Sequence, residues 1–256
     1  MPSLDTPLHL DMLHDFCRDR IKLWEAAARG FATRAELEAA VRNGSLPFET
    51  GPNQSRILKV ADLERLFGRP RGQMYGMHWG DPEFVQPLAF VRKRYVTPLV
   101  EHAATGVEIG PGGGRWTQYL LATKRLYVVD YHQQILDEHA RWIAAPNVIR
   151  IRNNGNDLPG VADAEADFVF SFDVFVHFEL PLIEAYLREI MRVLRPGGRA
   201  LIHYSDKRKV MAAINPGFGD NDPDRMRALV TGNAFRIVEE DTTTMWHSSI
   251  VIFEKP

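Results

Sequence analysis

Residues Val107 to Thr117 read V-E-I-G-P-G-G-G-R-W-T, and this stretch restricts the fold more than any other part of the chain. An apolar run ending in an acid, three alternating glycines and a helix-competent segment predict a strand, a tight turn and a helix starting near Arg115. Gly110, Gly112 and Gly114 remove side chains where the backbone must bend and where a ligand must come close. A turn of this kind binds a nucleotide. The next apolar run, Leu126 to Val129, closes with Asp130, where a carboxylate can accept from both ribose hydroxyls.

A dinucleotide dehydrogenase would place its third glycine at position 115, which is arginine. The spacing G-x-G-x-G, the acid Glu108 two residues ahead of it, Asp130, the strand end F-S-F-D at 170–173 and L-R-P-G-G at 194–198 follow in order. This order resembles the class I S-adenosylmethionine-dependent methyltransferases. The resemblance covers roughly residues 83–256 and implies S-adenosylmethionine as the cofactor. It also implies an α/β fold: a Rossmann-like, doubly wound, seven-stranded and mainly parallel sheet. The residues agree with that fold. Apolar runs at 107–109, 126–129, 148–152, 168–172, 199–203, 235–239 and 249–254 alternate with helical segments, and the last connection is too short for a helix.

A chain of 256 residues has room for one such domain and a small accessory piece. A net charge of −2 with the signs interspersed leaves no electrostatic footprint for nucleic acid. No nucleic-acid partner is expected, and a small neutral or mildly charged acceptor fits better. The single cysteine, Cys17, excludes an internal disulfide and suits a reducing cytoplasm. No segment has the apolar core of a signal peptide or the length of a membrane span. A cytoplasmic protein without a membrane partner is expected, and self-association into a homo-oligomer stays open.

Residues 1–72 form an accessory or cap region that reads as mostly helical, and residues 73–256 form the methyltransferase domain. A helix is expected over about 8–29. A second is expected over 33–43, where Thr33 and Glu36 make a capping box and Gly44 follows. A loop is expected over 45–55, a short strand over 56–60, and a brief helix capped by Asp62 and ended by Gly68. The ending R-I-L-K-V-A-D-L-E-R-L-F faintly resembles winged-helix modules of the excisionase type. Bases and acids are nearly balanced here, however, without the excess a phosphate-binding surface needs. A helix bent or ended by Pro87 and Pro98 is expected between 82 and 100. In the linker before it, Tyr75, His78 and Trp79 either pack on the core or wall the pocket over the methyl group.

The resemblance assigns the cofactor residues. Glu108 faces the amino end of the methionine moiety, and Gly110, Pro111, Gly112 and Gly114 form the turn. Asp130 takes the ribose and Tyr131 lies against adenine. In the turn N-N-G-N-D, either Asn154 or Asp157 recognises the adenine amine beside Gly155. Ser171 and Phe172 lie beside the methionine portion.

On the reacting side, Asp173 and His177 stand four apart, so one helical turn would put both on one face. His177 is the candidate general base, which an alcohol acceptor needs and an amine does not. Near it, V-H after F-D-x-F, with M-R-A-L and H-S-S-I-V further on, resembles O-methyltransferases that act on sugar hydroxyls. This points to a saccharide or polyol acceptor, met also by His203 and Tyr204 at the fifth strand end. Lys207 to Asp222 reads as a mobile covering loop. Some sugar methyltransferases use magnesium, so that ion stays open, but Asp173, Glu179 and Asp206 do not by themselves form a metal site and no ligands are assigned. The competing readings are an N-methyltransferase of a small amine and a cofactor-sensing DNA-binding protein.

Overall fold

The computed structural model describes residues 20–28, 31–51, 54, 56–68 and 74–256, and the chain divides into two compact units, Met1–Trp79 and Gly80–Pro256. The smaller holds β1 (Arg20–Lys22), α1 (Leu23–Ala28), α2 (Arg34–Arg42), β2 (Phe48–Thr50), β3 (Arg56–Lys59) and α3 (Val60–Phe67). Its three strands form an antiparallel sheet in the order β1-β3-β2. The capping box before α2 is present: Glu36 N–H donates to Thr33 Oγ1, and Thr33 N–H donates to Glu36 Oε2 at 2.8 Å. Leu37, Leu46, Leu58 and Leu63 make the core of this unit together with Ile21.

Three local expectations are corrected here. Arg20–Lys22 is a strand, because Ile21 is buried opposite Leu58 on β3; residues 8–19 lie outside the described residues. Phe48–Thr50 pairs with β3 although flanking glycine and proline suggested a loop. Helix α3 starts directly after Lys59, so Asp62 lies within its first turn, where it pairs with Arg65. At the end of the unit Tyr75, His78 and Trp79 cluster, with Tyr75 and Trp79 edge to face at 5.5 Å between centroids.

The larger unit opens with α4 (Gln86–Val91), a π-helical stretch (Arg92–Val96) and α5 (Thr97–Val100). The missing N–H of Pro98 breaks the ordinary ladder, and Thr97 N–H reaches back five residues to the Arg92 carbonyl. Then follow β4 (Thr105–Ile109), β5 (Arg125–Asp130), α6 (Gln133–Trp142), β6 (Val148–Arg152), β7 (Ala166–Ser171), α7 (Leu180–Val193), β8 (Leu194–Ser205), α8 (Val210–Ala213), α9 (Pro223–Gly232), β9 (Arg236–Asp241) and β10 (Ser248–Glu254). One seven-stranded sheet runs β6-β5-β4-β7-β8-β10-β9, and only β10 is antiparallel to its neighbours. This is the doubly wound arrangement expected from the sequence. The strand order reverses beside β4, which puts a ligand crevice at the carboxyl ends of β4, β5 and β7. Val107, Val129, Val169, Ile183, Ile190, Ile202 and Val251 are among the side chains of the core.

No helix follows the glycine turn. Residues 113–117 are all buried, and a helix packed on a sheet buries one face only. The chain therefore stays in turns and closes with one short 3-10 turn, Thr117–Tyr119, before β5. Among the described residues no helix is long and apolar enough to cross a membrane.

β4 pairs with β7 with Gly106 opposite Phe168, and the missing side chain at 106 leaves room for the Phe168 ring. A β-carbon at position 106 would stand 2.2 Å from the Phe168 ring. Gly106→Ala should therefore destabilise the protein by about 1–3 kcal/mol, read as a lower urea midpoint with unchanged slope.

Candidate cofactor and acceptor site

Residue 110 of the glycine turn and residue 130 at the end of β5 are neighbours, because Gly110 N–H donates to the Val129 carbonyl at 2.8 Å. Gly110 has φ +70°, and a side chain there would meet Val174 at 2.3 Å. Gly114 has φ +109°, and a β-carbon would meet Ile143 at 2.5 Å. At 114, packing against the protein itself demands the glycine. Asp130 keeps its carboxylate at the crevice, with Oδ1 accepting from His132 N–H at 2.8 Å. Tyr131 is partly exposed beside it, edge-on to His132.

Glu108 lies below the turn, 2% exposed, and Thr117 Oγ1 donates to its Oε2 at 2.6 Å. Burial pushes this carboxyl up to about 8, against the opposing pull of Thr117 and Arg115. A buried carboxyl at the end of β4 can pair with an ammonium group once it is ionised. Asn153 N–H donates to the Asp130 carbonyl at 3.0 Å, which brings the turn after β6 to the same place. In that turn Asn154 donates from its backbone and side-chain nitrogens to the two Asp157 oxygens, both at 2.8 Å. The two adenine candidates thus grip each other, and Gly155 N–H is held by Asn153 Oδ1. Ser171 Oγ donates to the Ile109 carbonyl at 2.9 Å, locking the end of β7 to the end of β4.

Asp173 and His177 do not share a helical face. Asp173 takes φ +61°, and only a 3-10 turn, Phe175–His177, follows it. The carboxylate pairs instead with the buried Arg115 and with His203, whose Nδ1 lies 3.1 Å from both the amide and the carboxylate of Asp173. Burial alone would raise the Asp173 carboxyl, but Arg115 and His203 outweigh it and hold it well below the usual carboxylate range. His203 is fully buried, stacked on Phe172 at 4.0 Å, with Nε2 on Ser248 Oγ. Sequence reasoning assigned no role to Arg115, although it was the one charge inside the glycine turn.

His177 is exposed, with Nδ1 2.8 Å from the Gly217 carbonyl and its ring edge-on to Phe218. Phe218 continues to His247 at 5.3 Å between centroids. The segment 207–222 is tied down rather than loose: Lys207 Nζ donates to the Ala212 and Asn215 carbonyls, and Gly219 N–H donates to the Val176 carbonyl at 2.8 Å. Tyr204 is corrected as a substrate contact. Strand alternation turns it away from His203 and into the hydrophobic core, where it is fully buried. Among the described residues no group of three or more His, Cys, Asp or Glu side chains forms a metal site. Glu179 accepts from Asp220 N–H and Asp206 from Ser249 Oγ.

The folded protein keeps a proton on Glu108 to about pH 8, whereas an unfolded chain releases it near 4.5. Between these values the native state binds more protons than the unfolded one, so this group's contribution to stability falls as pH rises. Melting temperature should therefore decline more steeply over that range in wild type than in Glu108→Gln. Parallel slopes in a calorimetric pH series would contradict this.

Residues 107–202, from the strand before the glycine turn to the end of β8, match the family model described as a methyltransferase domain. Similar solved structures include a Pyrococcus horikoshii protein, 15% identical, covering 75% of this chain and 98% of the other with a TM-score of 0.57. A Mesorhizobium loti S-adenosylmethionine-dependent methyltransferase is 12% identical over 68% of this chain and 98% of its own, with a TM-score of 0.56. The N-methyltransferase NodS of Bradyrhizobium japonicum, solved with S-adenosylhomocysteine, is 16% identical over 66% and 88%, with a TM-score of 0.54. At such identities the likeness is one of fold. Residues 107–202 are thus similar to a methyltransferase domain, and the larger unit has the Rossmann-like, doubly wound fold shared by these structures.

Proposed function

We propose that the chain transfers a methyl group from S-adenosylmethionine to a hydroxyl oxygen of a small molecule, a saccharide or polyol, with His177 as general base. The observation that carries the reading is the junction of Gly110 with Val129, which sets the glycine-rich turn next to Asp130 with the buried Glu108 two residues before it. In this reading Asp130 accepts from the ribose hydroxyls, Glu108 takes the ammonium, Tyr131 lies along the adenine, and Ser171 and Phe172 border the methionine chain. The cofactor, when bound, supplies a methyl group on a sulfonium, and the carbon to sulfur bond breaks as the carbon to oxygen bond forms.

The hydroxyl proton then needs an acceptor. In neutral His177, Nδ1–H donates to the Gly217 carbonyl, so Nε2 carries the lone pair. His177 is exposed on the segment that leaves β7, as a base for an incoming acceptor must be. Asp173 is bound to Arg115 and His203, so its part is to fix the strand end instead of assisting His177.

Calorimetric titration with S-adenosylhomocysteine tests the first half of the reading. Wild type should bind and Asp130→Ala should lose at least about tenfold in affinity, the worth of one charge-assisted hydrogen bond. Equal binding by both would overturn the assignment of Asp130. A screen of saccharide acceptors tests the second half. His177→Ala should lower turnover by about 10²-fold or more and leave cofactor affinity in place. Undiminished turnover on an amine in that variant would overturn the hydroxyl reading.

A further inference from the structure

Beneath the glycine turn, four polar side chains from four elements stand in one line. Arg150 on β6 donates Nε–H to His139 Nδ1 at 3.0 Å, and His139 Nε2 on α6 lies 3.0 Å from Thr117 Oγ1. Thr117 Oγ1 donates to Glu108 Oε2 on β4. His139 and Thr117 are fully buried. Arg150 is anchored in turn by the Ile143 carbonyl.

The line runs one way. A guanidinium can only donate, so His139 Nδ1 must accept and its proton sits on Nε2. Thr117 then accepts from His139, and its single hydroxyl hydrogen is left for Glu108. Burial, followed by the Arg150 charge, holds the His139 imidazole down at about 3, so it stays neutral near physiological pH and the direction does not reverse. The remaining charge acting on Glu108 is Arg115. Its register neighbours, Val128 on β5 and Phe170 on β7, carry none.

We propose that Thr117, His139 and Arg150 are positioning residues that hold the Glu108 carboxylate as a hydrogen-bond acceptor for the ammonium group of the cofactor. The proposal rests on the cofactor reading above. Its physical content is that Glu108 is buried deeply enough to keep its proton near neutral pH, and the directed hydroxyl opposes this by favouring the charged form. The three residues act through Glu108 and none of them touches the acceptor.

The test uses the full chain with ¹³C-labelled glutamate. The Glu108 carboxyl signal is assigned by its loss in Glu108→Gln and titrated without cofactor in wild type, Thr117→Val, His139→Leu and His139→Gln. Affinity for S-adenosylhomocysteine is then measured by calorimetry between pH 6 and pH 9, where this ligand probes the ammonium contact without turnover. Thr117→Val and His139→Leu should raise the Glu108 midpoint by about one pH unit and weaken affinity at neutral pH about tenfold, the equivalent of one unit. His139→Gln, which keeps an N–H for Thr117, should fall between them and wild type. Thr117→Val is nearly isosteric, so it decides the matter if His139→Leu does not fold. An unchanged Glu108 midpoint in folded Thr117→Val would overturn the relay. A shifted midpoint with an unchanged affinity profile would overturn its role in binding. Absence of binding in wild type with a shifted midpoint would overturn the cofactor reading and leave a relay that only stabilises the fold.

Discussion

A carboxylate almost without water, set under a turn of glycines, is the constraint on which the ligand-facing end of the larger unit depends. Glu108 is the penultimate residue of β4 and only 2% exposed, so its side chain faces the protein interior. Such a group stands only if it is hydrogen-bonded. Thr117 supplies that bond because the chain after Gly114 dives inward instead of forming a helix, and Gly114 permits the dive by leaving room for Ile143. Gly110 and Gly114 thus both leave room for the protein's own side chains, Val174 and Ile143.

A second buried charge separates the two halves of the site. Arg115 leaves the same turn and meets Asp173 at the end of β7, and His203 from β8 closes the set. The glycine turn after β4, the end of β7 and β8 are joined by an ion pair between Arg115 and Asp173 and a hydrogen bond from the Asp173 amide to His203. A pair of this kind adds less to stability than it does to position, since its desolvation offsets much of its attraction. Its effect is to hold the end of β7 against the glycine turn and β8 in one set relation.

The strands were legible because each is a short apolar run closed by a polar residue or a glycine, and their alternation with helical segments pointed to a mainly parallel sheet. The capping box at Thr33 and the hairpin between β9 and β10 were legible for the same local reason. Where expectation failed, tertiary packing decided. Five consecutive buried residues, 113–117, replaced the helix read near Arg115. The left-handed backbone at Asp173 broke the four-residue spacing to His177. Tyr204 turned into the core by simple alternation from His203. His139 and Arg150 carry no motif at all; they meet because α6 packs beside β6, and no spacing in the chain announces that.

The central claim is that the crevice at the ends of β4 and β5 is an S-adenosylmethionine site. A crystal structure of the full chain grown with S-adenosylhomocysteine tests it most directly. The account predicts ribose hydroxyls on Asp130 and the ligand ammonium within hydrogen-bond distance of Glu108 or joined to it by one water. Ligand bound elsewhere, or a crevice that closes on itself at saturating ligand, would contradict it.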